Sequence, residues 1–344
     1  MNRIYGLLTA SIFSFASALL CQAPYPQSKL IESIVWEDSS QIIRLAQGSD
    51  NFPVTWADDG NLYTTWGDGT GFGSPHRRSM GFARVAGFPP DISALDIRSH
   101  DEQSGDGRRG KKGWGLLCVE KVFYLWMGHA DNRGGKAQLA WSTDGMKNWT
   151  FADWKFSEFG LIGFVNFGKN YGGARDNYVY AYSHDGPLAG VPADRFILMR
   201  VPVDKIAYRE AYEFFIELDS RGQPVWTTDI NERGAVFEHS DACLRSAMTY
   251  NQGLKRYLWW QHVPAPKDSD DRGDTRFEGG FGIYEAPNPW GPWSTAYFTI
   301  QWDTGPGEHG DFPAKWMSRD GKTLYLAFSG NDSFSVRKTV LKLK

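Results

Sequence analysis

Cysteine, net charge and membrane-length apolar runs are all scarce in this chain. With 37 Lys and Arg against 40 Asp and Glu, the formal net charge is −3. That balance excludes the basic footprint of a nucleic-acid binder or of a protein held to an anionic membrane. Of the 3 cysteines, Cys21 belongs to an N-terminal segment set aside below. Cys118 and Cys243 fall in strand-like stretches and read as buried small hydrophobes, although an oxidising compartment would allow them to pair. No Cys and His spacing makes a zinc site. No Gly-rich phosphate loop leads from a strand into a helix, and no Gly-x-Ser-x-Gly elbow is present, so nucleotide chemistry and the serine-hydrolase elbow are not indicated. Beyond the N-terminal segment no long stretch carries apolar residues at i, i+3, i+4 and i+7, which excludes a helical fold. No cofactor is expected.

One apolar run does occur, from Leu7 to Leu20, after Arg3 and before Cys21-Gln22-Ala23. It is too short and wrongly flanked for a membrane span and reads as a secretory signal peptide over residues 1–23. Leu20 is too large for a good lipoprotein box. The expected product is a secreted or periplasmic chain from residue 24 to 344, with no membrane span, acting as a monomer.

Aromatic residues are abundant: 15 Trp, 15 Tyr and 22 Phe, alongside 38 Gly and 17 Pro. That mixture favours strands and turns. One pattern recurs five times: an apolar strand, a polar or Gly turn, and an aromatic strand. The copies span 51–69, 113–129, 161–186, 244–262 and 311–331. They align on Tyr63, Tyr124, Tyr180, Tyr257 and Tyr325, at separations of 61, 56, 77 and 68 residues. Further strand-like stretches follow each copy, and four short strands per unit is the signature of a propeller blade. The last copy lacks a strand, whereas IIRLA at 42–46 has no partner of its own. The expected fold is therefore all-β: one five-bladed β-propeller, its ring closed by 42–46 pairing near 335–343, which leaves no exposed sheet edge.

In a blade, the start of the first strand and the end of the second lie on one face. Five residues beyond each aligned Tyr come Asp68, His129, Asp185, His262 and Gly330, with His184 beside Asp185. Before the first strands come Asp50 and Asn51, Lys112 and Trp114, His239 and Arg245, and Glu308, His309 and Asp311. Turns favour Asp for local backbone reasons, so any one Asp here could be no more than a turn residue. His is not a turn residue, yet five of the 7 His fall on this face, leaving His76 and His100 outside. The convergence predicts a polar mouth, and its aromatic rings and paired hydrogen bonders suit a carbohydrate. Glycosidic cleavage needs two carboxylates in different environments. Asp50, Asp68, Asp185 and Asp311 are the catalytic candidates, with Glu308 in reserve. Asn51, Trp114, His129, His184, His239, Arg245, His262 and His309 are the substrate-binding ones. A Ca²⁺ in the channel is compatible with this set. A lyase would instead use Arg245 with His184 or His239, and a non-catalytic glycan binder would need no carboxylate pair.

Weaker motifs have plainer readings. Ser142-Thr143-Asp144-Gly145 with Trp149 matches the Asp-box turn of many propellers, a structural feature of the rim. Asn148-Trp149-Thr150 and Asn331-Asp332-Ser333 match the glycosylation sequon. Arg108-Arg109-Gly110-Lys111-Lys112 reads as a solvated basic loop, and residues 264–280 as a mobile loop beside the mouth.

The stretch Gly48-Ser49-Asp50-Asn51-Phe52-Pro53-Val54-Thr55-Trp56-Ala57-Asp58-Asp59-Gly60-Asn61-Leu62-Tyr63, continued by Trp66-Gly67-Asp68-Gly69-Thr70-Gly71-Phe72, resembles the opening blade of secreted bacterial proteins grouped as domain of unknown function 4185. Ser79–Val85 and Gly310–Ala314 fit the same resemblance. It implies a five-bladed propeller over most of the mature chain. Some relatives of that group are endo-D-arabinanases, and the propeller glycosidases of families 43 and 32 include arabinanases and fructosidases. The resemblance implies a catalytic role for Asp50, which stands where those relatives carry a carboxylate at the start of the first inner strand; it does not fix the sugar. The function expected is a secreted glycoside hydrolase acting on a polysaccharide or oligosaccharide, with lyase and binder as alternatives.

Overall fold

A computed structural model describes residues 22–264 and 279–344. Residues 1–21 of the expected signal peptide and 265–278 of the expected loop lie outside the described residues. The described chain is all-β, and its helical turns are three-residue 3-10 turns. Two edge segments come first, β1 (Ile31–Trp36) and β2 (Ile43–Leu45). An antiparallel meander follows: β3 (Asp50–Trp56), β4 (Leu62–Gly67), β5 (Gly81–Phe88) and β6 (Asp91–Ile97). A second meander holds β7 (Lys112–Val119), β8 (Val122–Gly128), β9 (Gln138–Ser142) and β10 (Thr150–Phe151).

The third sheet is larger. It runs through β11 (Ile162–Asn166), β12 (Tyr178–His184), β13 (Ala193–Pro202), β14 (Glu213–Leu218) and β15 (Pro224–Thr227), with β16 (Phe237–Cys243) also paired to β13. A short parallel pairing of β11 joins it to β17 (Ser246–Asn251), β18 (Arg256–Val263), β19 (Gly280–Ala286) and β20 (Ser294–Thr299). The last sheet contains β21 (Gly310–Asp311), β22 (Thr323–Phe328) and β23 (Phe334–Leu343).

The N-terminal segments complete that last sheet. Ile43 faces Val336 and Leu45 faces Phe334, so the pairing expected for residues 42–46 is present. Most of the outer edge is supplied by β1 instead, with Ile31 opposite Leu343 and Trp36 opposite Thr339. The innermost strands touch in a cycle: β3 with β7, β7 with β11, β11 with β17, β17 with β21, and β21 with β3.

Aromatic side chains fill the space between sheets. Trp259 stacks on Phe237 at 5.0 Å and 19°, and Phe82 on Trp149 at 5.1 Å and 27°. Such pairs add about 0.5–1.5 kcal/mol each beyond their area burial. Cys118 and Cys243 are buried and unpaired, as small hydrophobes. The Asp-box turn has the expected form. Asp144 accepts from the Lys147 and Asn148 amides at 3.2 and 3.0 Å and from Asn148 Nδ2 at 2.6 Å. These donors, the Asn148 side chain first, hold the Asp144 carboxyl down at about 2.

Candidate active site

Strand β3 opens on a distortion. Asn51 and Phe52 both have positive φ, 71° and 64°, and the register with β4 slips between Asn51 and Val54. A bulge re-aims the side chains beside it. For Phe52 that backbone is strained, and persists because its ring is locked at 5.4 Å from Phe334 and 6.0 Å from Phe72. The strand thereby turns Asp50 and Asn51 into a cleft of about 420 Å³. Asn51 Nδ2 donates to Asp50 Oδ1 at 3.1 Å. The carboxyl lies against Gly67 across the hairpin, where a Cβ would stand 2.6 Å from Oδ1.

The residues after the second strands behave alike in the first two meanders. Asp68 follows β4 with φ 43°, and His129 follows β8 with φ 53°. Both line the cleft. Asp68 pairs with the Lys112 ammonium at the start of β7 and accepts from the Gly107 amide at 3.2 Å. His129 Nδ1 donates to Gly110 O at 3.1 Å, which leaves Nε2 as an acceptor. Burial, then the Lys112 charge, lower its pKa and keep the ring neutral. Arg245 and Glu308 complete the polar wall, 3.5 Å apart. Trp114, Leu161, Leu188, Ala189 and Val191 supply its apolar lining.

Electrostatics separate the three carboxylates. Burial, then the charges of Glu308 and Asp68, push Asp50 well above the usual carboxylate range, against the opposing pull of Lys112 and Arg245. Asp68 and Glu308 each sit on a cation; Asp50 meets the amide of Asn51 instead. The arrangement offers one carboxyl poised to carry a proton beside two held as ion pairs, facing a surface on which a sugar ring can stack.

Of the residues expected at the mouth, Asp50, Asp68, Asn51, Trp114, His129 and Arg245 meet in this cleft. Lys112 and Glu308 join them, whereas Asp185, Asp311, His184, His239, His262 and His309 do not line it. Asp185 turns away, clamped by Arg195 Nη2 at 2.6 Å and Arg233 Nη2 at 2.7 Å. Asp311 is buried between β21 and β17, where Thr249 Oγ1 donates to it at 2.6 Å; burial raises it to about 6. Glu308, three residues earlier, takes the place that register assigned to Asp311.

The remaining histidines form a layer behind the walls. His184 Nε2 donates to Leu188 O at 3.0 Å and so anchors the rim loop; burial lowers its pKa to about 4. His309 stands edge-on to Trp114 at 5.7 Å, and burial lowers it to about 3. His239 contacts Gln261 Oε1 at 3.3 Å, and His262 is buried within β18. His184 and His239, the bases named for a lyase, are buried and do not line the cleft.

The basic run at 108–112 is not merely a solvated loop. Gly107 and Arg108 border the cleft, and Lys112 is buried beside Asp68. Arg133, which no sequence pattern singled out, borders it too. Among the described residues no three His, Cys, Asp or Glu side chains group in a way that could hold a metal ion.

Comparison with solved structures bears on the scaffold. The chain is similar in fold to a β-xylosidase. The TM-score is 0.50 at 14% identity, over 88% of this chain and 95% of the other. A glycosyl hydrolase from Bacteroides ovatus gives 0.49 at 11% identity, over 93% and 96%. A GH43_1 enzyme from Xanthomonas citri gives 0.47 at 14%, over 89% and 94%. No protein-family profile matches the sequence, and no curated protein matches it.

Proposed function

We propose that this chain is a glycoside hydrolase of the propeller type, secreted or periplasmic once residues 1–23 are removed, that cleaves a polysaccharide or oligosaccharide in the cleft. One observation carries the reading: three carboxylates with different partners converge in one cleft with Trp114. Asp50, its pKa raised by burial and by its acidic neighbours, is the general acid. Asp68, paired with Lys112 and accepting from the Gly107 amide, is the partner carboxylate that activates water or attacks the anomeric carbon. Glu308 raises the Asp50 proton affinity, and Asn51 orients that carboxyl.

Residues 24–344 are read as a single domain of five blades, closed by β1 and β2 on β23. The cycle of contacts between inner strands supports that count, as does the likeness in fold to a β-xylosidase. The resemblance of 48–72 to domain of unknown function 4185 is consistent with both fold and chemistry.

The reading is tested with purified protein from residue 24 onward, incubated with arabinans, xylans and uronate-containing polysaccharides. New reducing ends without unsaturated products are expected from at least one polymer. Products absorbing as unsaturated uronates would replace hydrolysis with elimination, and binding without any cleavage would leave a glycan-binding propeller.

A further inference from the structure

The chain is slightly acidic overall, but the cleft is not. Arg108, Lys112, Arg133 and Arg245 border it, against Asp50, Asp68 and Glu308. Lys112 is spent on Asp68 and Arg245 on Glu308. Among the described residues the Arg108 and Arg133 guanidiniums have no carboxylate partner, although acidic side chains are plentiful in this chain. Among the described residues that line it, four cationic side chains stand against three carboxyls.

The two arginines also stand together. They come from separate turns, Gly107–Arg109 and the turn after His129, yet the Arg108 Cγ lies 3.5 Å from where a Cβ on Gly134 would be. Gly134 is buried, and the Arg108 stem packs over it. Arg108 and Arg133 thus stand on neighbouring turns at one cleft, and guanidiniums are the donors an oxyanion pairs with best. Arg77 and Arg221, by contrast, pair with Asp106 and Asp219.

We propose that Arg108 and Arg133 form a subsite for an anionic sugar, so that the substrate is an acidic glycan bearing carboxylate or sulfate groups. This deepens the hydrolase reading and rests on it for the location of the scissile bond. The anion is held at the rim, away from Asp50, which keeps the acid from competing with it for positive charge. Arg245 is paired with Glu308.

The test measures binding in the Asp50→Asn variant, which separates recognition from turnover. Calorimetry is run against polygalacturonate and alginate as carboxylated polymers, chondroitin sulfate as a sulfated one, and arabinan and xylan as neutral ones. At least one acidic polymer should bind more tightly than both neutral ones, and weaken steeply as salt rises. The carboxylated and sulfated arms identify which oxyanion the site takes. Arg133→Gln and Arg108→Gln should each weaken that binding about tenfold or more, as expected for charge-assisted hydrogen bonds. Arg221→Gln, paired outside the cleft, should not. Binding of the neutral polymers with equal or greater affinity, or an Arg108→Gln/Arg133→Gln double variant with undiminished binding, overturns the proposal. Cleavage of a neutral polymer, unaffected by the double variant, would overturn the acidic substrate and leave hydrolysis standing. Arginine-dependent binding of an acidic polymer that the unsubstituted protein never cleaves would do the reverse.

Discussion

Asp50 concentrates the chemistry of the site in one side chain. Its raised pKa arises first from burial, then from Glu308 and Asp68. Glu308→Gln removes the first of those charges, so the proton on Asp50 becomes easier to lose. If Asp50 is the acid, the alkaline limb of the kcat/KM profile should move to lower pH in that variant, and an unmoved limb would assign the proton elsewhere. Gly67→Ala tests position instead of charge. A methyl group there would sit 2.6 Å from Asp50 Oδ1 and 2.8 Å from Asn51 Nδ2. A drop in kcat of one to two orders of magnitude is expected, with KM little changed, since even small displacements of catalytic groups are costly. The sequence register found Asp50, Asp68 and His129 because they follow from blade geometry alone. It could not separate Glu308 from Asp311, nor foresee that Asp185 is captured by Arg233, 48 residues away, because those outcomes depend on long-range pairing. The histidine cluster was legible as a cluster, but its depth was not: whether a ring lies in the cleft or behind it depends on packing from other strands.

At the scale of elements, the repeat of apolar strand, turn and aromatic strand was readable throughout, since each meander must bury both faces. The outermost segments were harder. IIRLA was recognised as a spare strand, whereas β1, with its half-buried alternation, lay in a stretch that no repeat flagged. Together they place Ile31 and Ile34 in the core beside Leu324 and Leu341. Burying a side chain of this size contributes about 1.5–3 kcal/mol, and the strand pairing adds to it. Deleting residues 24–47 should therefore destabilise the protein by several kcal/mol; an unchanged thermal midpoint would show that these strands do not close the structure. The Asp-box is a local counterpart. Asp144→Asn loses the charge that the amides of Lys147 and Asn148 hold. It should lower the melting temperature by a few degrees while leaving turnover intact.

Across the whole molecule, buried titratable groups set a pH range for stability. His184 and His309 have pKa values lowered to about 4 and about 3 by burial. The unfolded chain takes up those protons first, below the ordinary histidine value of about 6.5. Stability from these two residues is complete above that pH and is lost as pH falls towards 4 and 3. Asp311, raised to about 6, works in the opposite sense: its folded form keeps a proton that the unfolded form has lost, so it stabilises at low pH and that benefit fades between about 4 and 6. The two histidines thus cost stability on acidification between pH 6 and 4, and Asp311, with Asp50 in the same sense, opposes that loss. Thermal melts across that range should show it. His309→Gln, which cannot titrate, should flatten the slope, and Asp311→Asn should steepen it.

The measurement that bears most directly on the proposed chemistry is the release of reducing ends from the polymer the protein cleaves, with Asp50→Asn, Asp68→Asn and Asp144→Asn assayed beside the unsubstituted chain. Asp50→Asn keeps the shape of the carboxyl and removes its exchangeable proton. Turnover should fall by roughly 10²–10⁴-fold or more in the Asp50 and Asp68 variants, with unaltered circular dichroism, and remain at the unsubstituted level in the Asp144 variant. Full activity in Asp50→Asn would contradict the assignment of the cleft as the catalytic site.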